Sequence, residues 1–357
     1  MNALLHTESN RIIELMEQPT ERRDAGWLKD AVQQAILLEL ATLPPYLCGM
    51  WSIDDASGGD VLDAVHAIVF DEMSHLGLAC NLLTTIGGAP RLADEGAVPK
   101  YPGPLPGGVR PELTVFLSGL TKDSLEMYSR IEEPDDPLAE AVASPTSIGA
   151  FYNAILDVFR EHPELITGAR QVVKIMAAGH GSGNDVVALD SPAAVESAIA
   201  VIKEQGEGTS ASPENPHPGE VGELAHYYVF REIYRGHKLI KVSTDPDEWD
   251  FQGAEIPMPH ALPMGIVPSG GWPREGPTAV DVDTRNLLDG FNTSYSAMLG
   301  FLEQAWQQDL PAKAKVLLGK AVGEMFGLQE PAQSLMRRAL PDGSGNAYGP
   351  EFRYVAA

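Results

Sequence analysis

Three side chains of types that can bind protons or metal ions lie on the apolar faces of two predicted helices. Glu39 is the only charged residue on a face that otherwise carries leucine, isoleucine and valine. Glu72 and His75 occupy the same kind of position on the next predicted helix, three residues apart and therefore neighbours on its surface. A carboxylate buried among apolar groups needs a cation or a proton, because burial of the unpaired charge is costly. The spacing therefore predicts a buried site where a carboxylate oxygen and an imidazole nitrogen bind one metal ion.

The same Glu-x-x-His spacing recurs at Glu223 and His226, in line with apolar residues of a later predicted helix. The helix before it carries Glu204 and Glu207 near its C-terminal end. In an antiparallel helical hairpin these two ends lie side by side. The pattern indicates a duplicated unit, as in four-helix bundles that bind two iron or manganese ions. The choice between Glu204 and Glu207 stays open, and Glu223 could instead only favour a helix N-terminus.

Four long helices must position these residues. Apolar residues at helical spacing predict helices over about 25–48, 60–86, 191–206 and 220–242, with a C-terminal helical extension over about 280–340. The chain contains 28 prolines and 35 glycines, so long irregular loops are expected between the helices. There is no useful alternating strand pattern and no linker that would divide the chain. The predicted fold class is all-α, with residues 1–357 as one domain.

The sequence predicts the surroundings of this site less clearly than the site itself. Pro44 and Pro45 should kink or end the first long helix, because Pro44 cannot donate to the carbonyl of Leu40. A further helix carries Glu126 and Glu132 without a clear apolar stripe, so both are predicted to be solvated. A substrate pocket is predicted from four aromatic residues, although aromatic residues at helical spacing usually belong to the core: Tyr46, Trp51, Tyr101 and Tyr227.

The composition excludes several classes of partner. The 50 acidic and 25 basic residues give a formal net charge of −25, which would repel nucleic-acid phosphates and anionic lipid surfaces. No apolar run approaches the roughly 18 to 20 residues of a membrane-spanning helix. Two cysteines, Cys48 and Cys80, do not make a disulfide scaffold or a thiolate zinc site. We expect a cytoplasmic protein with a small-molecule partner, no nucleic acid and no membrane; a homo-oligomer is left open.

Eight segments also carry a family resemblance: LLELATLPPY at 37–46, DEMSHL at 71–76, NLL at 81–83, IGGAP at 86–90, YPGPLP at 101–106, EQGEG at 204–208, ELAHYY at 223–228 and GPEF at 349–352. Together they resemble the ferritin-like domain of the iminophenyl-pyruvate dimer synthase type. That domain occurs in longer violacein- and rebeccamycin-type enzymes, which couple two amino-acid-derived imines oxidatively. The resemblance implies a ferritin-like four-helix bundle elaborated with extra helices. Relatives often carry an acidic residue where Ala150 stands, which favours Glu204 or Glu207 as a ligand here.

Residues and resemblance together predict a metal-dependent oxidoreductase of specialised metabolism. The expected ligands are Glu39, Glu72, His75, Glu204 or Glu207, Glu223 and His226. Carboxylate and imidazole ligands suit iron, mono- or dinuclear, or manganese. The enzyme would use dioxygen or peroxide on a small amino-acid-derived or aromatic substrate, as in oxidative imine coupling. The alternative is a non-catalytic ferritin-like protein that binds or stores iron, but long loops around a bundle more often build substrate sites.

Overall fold

Helices form most of the structure, a computed structural model that describes residues 10–134, 147–175, 185–207, 212–217 and 222–356. In chain order they are α1 (Arg11–Met16), α2 (Ala25–Ser52), α3 (Asp55–Thr85), α4 (Lys122–Ile131), α5 (Ile148–Glu161), α6 (Pro192–Glu207), α7 (His226–Arg235), α8 (Val282–Trp306), α9 (Pro311–Gly327) and α10 (Gln329–Met336). Single 3-10 turns occur at Thr20–Arg22, Pro106–Gly108 and Pro163–Leu165. This architecture confirms the predicted all-α class. Within the described ranges no helix is both long and apolar enough to cross a membrane.

The first long helix, α2, begins at a capped N-terminus and runs through both prolines. The Asp24 carboxylate accepts hydrogen bonds from the first backbone N–H groups. Pro45 cannot donate to the carbonyl of Ala41, and the Tyr101 hydroxyl donates to that carbonyl instead at 2.8 Å. The Tyr128 hydroxyl donates to the carbonyl of Pro45 at 2.7 Å. The Tyr101 hydroxyl thus replaces the missing backbone donor at Ala41, and α2 extends past the end predicted at about residue 48.

The second long helix, α3, follows α2 after a two-residue connection and packs along it. Asp54 caps its N-terminus by accepting from the N–H of Ala56. Gly59 interrupts the helical geometry at φ +43°, a conformation that glycine adopts with little penalty. The uninterrupted part therefore begins at Asp60, as the sequence predicts. Nearly every side chain of α2 from Ala31 onward is buried, so the α2–α3 pair forms the centre of the core.

The segment around α7 differs from the prediction of one helix over 220–242. Residues 222–225, directly before α7, are irregular, and a short bridge joins Glu214 to Leu224. The first two residues of the predicted helix, 220 and 221, lie outside the described part of the structure. α7 ends at Gly236, which adopts the left-handed conformation at φ +79°. β1 (Ile240–Thr244) and β2 (Asp247–Asp250) then form an antiparallel hairpin. Its side chains are mostly exposed, so no alternation of buried and polar residues marks it in the sequence.

The remaining helices pack around the central pair. α4 packs against α7 and α5 against α6, and these pairs cover one side of α2 and α3. On the other side, α8 contacts α3 and α10 contacts α2, while α9 packs mainly on α8. This arrangement brings the C-terminal end of α4 and the first residue of α7 to the middle of α2 and α3.

Candidate metal centre

Five acidic and histidine side chains from four helices meet in the core. Glu39 comes from α2, Glu72 and His75 from α3, Glu132 from the C-cap of α4, and His226 from the first position of α7. They form two overlapping groups, Glu39–Glu72–His75 and Glu72–Glu132–His226. In each group one nitrogen or oxygen atom per residue lies within 4.8 Å of the others. All five are at most 8% exposed, so solvent does not screen their charges.

Both histidines turn Nδ1 toward the same carboxylate oxygen. Nδ1 of His75 lies 3.3 Å from Oε1 of Glu72 and 3.8 Å from Oε2 of Glu39. Nδ1 of His226 lies 3.1 Å from the same Glu72 oxygen. Glu72 therefore belongs to both groups and lies between the two imidazoles.

The outer nitrogen of each histidine faces an acceptor of its own. Nε2 of His75 lies 2.9 Å from Oε1 of Gln205 on α6, and Nε2 of His226 lies 3.3 Å from Oδ2 of Asp71. An acceptor at Nε2 places the proton there and leaves Nδ1 free to bind a metal, an arrangement common for metal-binding histidines. Nδ1 of His226 is buried and lies 3.1 Å from Oε1 of Glu72, but the geometry there does not make a hydrogen bond, and no other described residue is its partner. The histidine orientations and this unpartnered atom fit a metal ion.

Each carboxylate of the centre accepts one hydrogen bond from a buried hydroxyl. The pairs are Tyr152 with Oε1 of Glu39 at 2.5 Å, Thr42 with Oε2 of Glu72 at 2.7 Å, and Tyr46 with Oε1 of Glu132 at 2.5 Å. In Glu39 and Glu72 the other oxygen faces His75. The hydroxyls thus hold the carboxylates in one orientation, as outer partners of metal ligands do.

Burial and neighbouring charges shift the pKa of every ionisable group in the centre. Burial, reinforced by the Glu72 charge, raises the pKa of Glu39 to about 8 and the pKa of Glu132 to about 7. Burial acts in the same direction on Glu72, but the two nearby histidines outweigh it and hold the pKa of Glu72 well below its usual range. In the absence of metal, Glu39 and Glu132 therefore retain protons near neutral pH.

The pKa values of the two histidines are raised, because neighbouring carboxylates stabilise the charged imidazoles. Burial lowers the pKa of His75, but the charge and contact of Glu72 outweigh it and raise that pKa to about 9. Burial likewise opposes the charged form of His226, but contacts with Asp71 and Glu72 raise its pKa well above the ordinary value. Protons thus occupy groups that a bound cation would need in deprotonated form.

The sequence model of the ferritin-like family matches residues 32–235. The chain belongs to the ferritin-like family. All five residues of the centre lie within the matched stretch. A ferritin-like protein from Caulobacter vibrioides has a similar solved structure, with a TM-score of 0.55 and 20% sequence identity over 90% of this chain and 97% of that chain. At this identity the likeness shows the fold alone. No curated protein sequence matches the chain significantly.

Four of the predicted ligands come together in this ferritin-like centre: Glu39, Glu72, His75 and His226. Three others do not belong to the two described groups. The carboxylate of Glu204 is partly exposed and lies 2.8 Å from Nε2 of His217. Glu223 lies before α7, where the three-residue spacing no longer places it beside His226. Glu207 is the last residue of α6, and its side chain lies outside the described part of the structure.

Glu132 supplies a carboxylate that the sequence analysis missed. The interpretation that it is solvated was wrong, because its side chain is buried against Tyr46 and near Glu72 and His226. A signal was present, since Leu125 and Tyr128 precede it by seven and four residues and so share its helical face. The shared face was missed because Glu132 is the C-cap residue, at the very end of α4.

The EQGEG segment contributes to the ferritin-like centre through its second and third residues, Gln205 and Gly206. Gln205 contacts His75, as described above. Gly206 lies against Glu132, where a Cβ atom would come within 2.8 Å of Oε2. Only glycine allows α6 to approach this closely without a shift. Ala150 on α5 brings no carboxylate to the site, and Glu132 supplies the one from α4.

A small cavity of about 40 Å³ adjoins four of the candidate ligands: Glu39, Glu72, His75 and Glu132. Thr42 and Tyr152 also line it, and half-buried Ile148 and Lys203 lie at its α5–α6 side. None of the four aromatic residues predicted for a substrate pocket is among its described lining: Tyr46, Trp51, Tyr101 and Tyr227. Tyr46 and Tyr101 use their hydroxyls inside the core, and Trp51 stacks on Phe352. Tyr227 is only half-buried and packs edge-on against Tyr228.

Proposed function

We propose that this ferritin-like protein is a metal-dependent oxidoreductase that uses dioxygen or peroxide to oxidise a small amino-acid-derived or aromatic molecule. The observation that carries the proposal is the position of Glu72 between two imidazoles, beside a cavity that also reaches two further carboxylates. Carboxylate and imidazole ligands without thiolates suit iron, with manganese as the alternative. The residues that would hold the metal are Glu39, Glu72, His75, Glu132 and His226.

The charge of the centre supports two metal ions. Glu39, Glu72 and Glu132 are buried beside one another, and buried Asp71 faces the outer nitrogen of His226. These four carboxylates carry as much negative charge as two divalent cations carry positive charge. Without cations, burial and the charge of Glu72 raise the pKa of Glu39 and of Glu132, and these two carboxylates bind protons instead. We therefore propose a dinuclear iron centre that these residues would hold, with Glu72 a member of both candidate ligand groups; Glu207 stays a candidate for a further ligand.

The protein's own residues would control what reaches the metal. Reduced iron, when bound, supplies electrons for the reduction of dioxygen. The cavity of about 40 Å³ has room for a molecule of the size of dioxygen or peroxide, because one water needs about 10–15 Å³ on such a measure. The hydroxyls of Tyr152 and Tyr46 donate hydrogen bonds to Glu39 and Glu132 and keep these carboxylates oriented. An organic substrate would approach from the α5–α6 side of the cavity. There the ammonium group of Lys203 can pair with a carboxylate of the substrate.

The family resemblance supports oxidative imine coupling as the reaction class. Joining two imines by a new carbon–carbon bond removes two hydrogen atoms, that is, two electrons and two protons. Dioxygen that accepts them leaves as hydrogen peroxide, so atoms and electrons balance. A storage protein has no need of an organic substrate beside its metal site, and substrate dependence therefore separates the two functions.

The test is reconstitution of the full chain with ferrous iron under anaerobic conditions, followed by exposure to air. We expect about two irons per chain and an optical spectrum that changes on exposure to air. Oxygen uptake should rise when imines generated in situ from aromatic amino acids are added, and not when the parent amino acids are added alone. Substrate-independent mineralisation of iron in multi-chain shells would establish storage instead. Stoichiometric zinc in protein never exposed to excess zinc would contradict oxygen chemistry.

A further inference from the structure

We infer that a second site, on the opposite side of the α2–α3 pair from the metal centre, binds a neutral apolar molecule that carries a single hydroxyl or carbonyl group. The site is a cavity of about 340 Å³ between α2–α3 and the α8–α9 hairpin. Its lining includes Leu43 and Pro44 from α2, Met298 and Leu302 from α8, and Met325 from α9. We call it the apolar cavity.

The apolar cavity is separate from the metal centre. His75 and Glu72 face the metal side of α3, whereas their neighbours Leu76 and Met73 line the apolar cavity. The apolar cavity and the small cavity beside the ligands share no described lining residue. A molecule bound here would therefore not contact the metal ligands.

Size and lining indicate an organic occupant rather than water. Protein interiors are packed densely, and voids much larger than a water molecule are few. A volume of about 340 Å³ lies in the range of small-molecule pockets, and apolar cavities bind apolar molecules in preference to water. Among the described lining residues the only charged one is Lys174, which is exposed. A charged group inside the cavity would lack a partner, which favours a neutral molecule.

Tyr295 is the one uncharged polar side chain without a hydrogen-bond partner among the described lining residues of the cavity. Its side chain lines the cavity and is only 2% exposed, and its hydroxyl has no hydrogen-bond partner among the described residues. Nε1 of Trp306, which also lies in the wall, already donates to Oδ1 of Asn81 at 2.8 Å. A buried hydroxyl without a partner is unfavourable for folding. A ligand with one hydroxyl or carbonyl would satisfy it, whereas a pure hydrocarbon would not.

The experiment compares 2-naphthol, which carries one hydroxyl, with naphthalene, which carries none. Binding to the full chain is measured by calorimetry and by quenching of tryptophan fluorescence, since Trp306 lies in the cavity wall. The titrations are repeated after treatment with a chelator, so that binding through a metal is recognised. We expect both molecules to saturate one site, with 2-naphthol about three- to tenfold tighter.

Three variants identify the site. Tyr295→Phe should bring 2-naphthol to the affinity of naphthalene, leave naphthalene unchanged and keep or raise the melting temperature. Leu302→Trp should fill the cavity and abolish binding of both molecules. Tyr348→Phe, outside the cavity, should change neither. If neither molecule binds saturably, or if Tyr295→Phe leaves the preference for 2-naphthol intact, the inference is wrong. Because Tyr295→Phe removes no described hydrogen bond, this comparison remains decisive even if Leu302→Trp unfolds the protein.

Discussion

Nδ1 of His226 lies 3.1 Å from Oε1 of Glu72, although the two residues belong to helices far apart in the sequence. The same oxygen lies 3.3 Å from Nδ1 of His75. Glu72 thereby joins the two halves of the centre, one built from the α2–α3 pair and the other from the ends of α4 and α7. A change in either half should therefore affect the whole site.

Both histidines should be needed for metal binding. We expect His75→Ala and His226→Ala each to lower metal content sharply and to abolish substrate-dependent oxygen uptake, with helical circular dichroism largely kept. The reason is that each removes a buried nitrogen directed at Glu72. His217→Ala is the control, because that imidazole contacts Glu204 outside the centre. Full metal content in His226→Ala would instead indicate a mononuclear site on Glu39, Glu72 and His75.

Glu132 should behave as a ligand. We expect Glu132→Gln to lose about one metal ion per chain, because the amide keeps the size of the side chain but not its charge. The matched control is Glu133→Gln at the next position, where the side chain is partly exposed and faces Arg110. Metal analysis after reconstitution measures both. Equal metal content in the two variants would mean that Glu132 is only a buried neighbour of the site.

The tyrosine hydroxyls should support metal affinity without binding the metal themselves. Tyr152→Phe and Tyr46→Phe each remove one hydrogen bond to a ligand, Glu39 or Glu132. Loss of such outer partners typically weakens metal affinity about 10- to 100-fold. Competition with a chelator of known affinity measures the effect, and Tyr348→Phe is the control. Unchanged affinity in both variants would assign these hydroxyls to packing alone.

The stability of the metal-free protein should fall as the pH rises from about 5 to about 8. The pKa of Glu39 is raised from 4.5 to about 8, and that of His75 from 6.5 to about 9. The folded chain therefore holds protons that the unfolded chain releases, and each rise in pH within this range favours unfolding.

Metal should reverse this trend, because it binds the deprotonated ligands. Thermal unfolding with and without Mn²⁺, which avoids iron oxidation, measures both effects. We expect the stabilisation by Mn²⁺ to grow with pH over the same range. A metal-free protein whose melting temperature rises over that range would contradict the assigned proton positions.

Tyr101 should matter for stability. Its hydroxyl donates to the Ala41 carbonyl that Pro45 leaves without a helical donor. Tyr101→Phe leaves that buried acceptor unsatisfied, which should lower the free energy of unfolding by about 1–3 kcal/mol. Urea denaturation measures this, with Tyr348→Phe for comparison. An unchanged stability together with a raised KM would instead support the substrate-pocket role that the sequence suggested.

The local pattern of the sequence was sufficient to predict which residues of the long helices are exceptional. Glu39, Glu72 and His75 stand on apolar faces, and helical periodicity alone places them there, because residues three, four and seven apart share a face. The absence of a useful period-2 pattern likewise predicted the helical class. Such information is local, and it does not depend on what the helices pack against.

Only the tertiary structure decided which elements complete the site. Glu132 reaches the centre because α4 packs on α7, and Gly206 lets α6 lie against it. The same packing leaves Glu204 partly exposed beside His217. Neither result follows from spacing along one helix, because distances between helices depend on contacts between residues that are remote in sequence. The partners of the two histidines, Gln205 and Asp71, were hidden for the same physical reason.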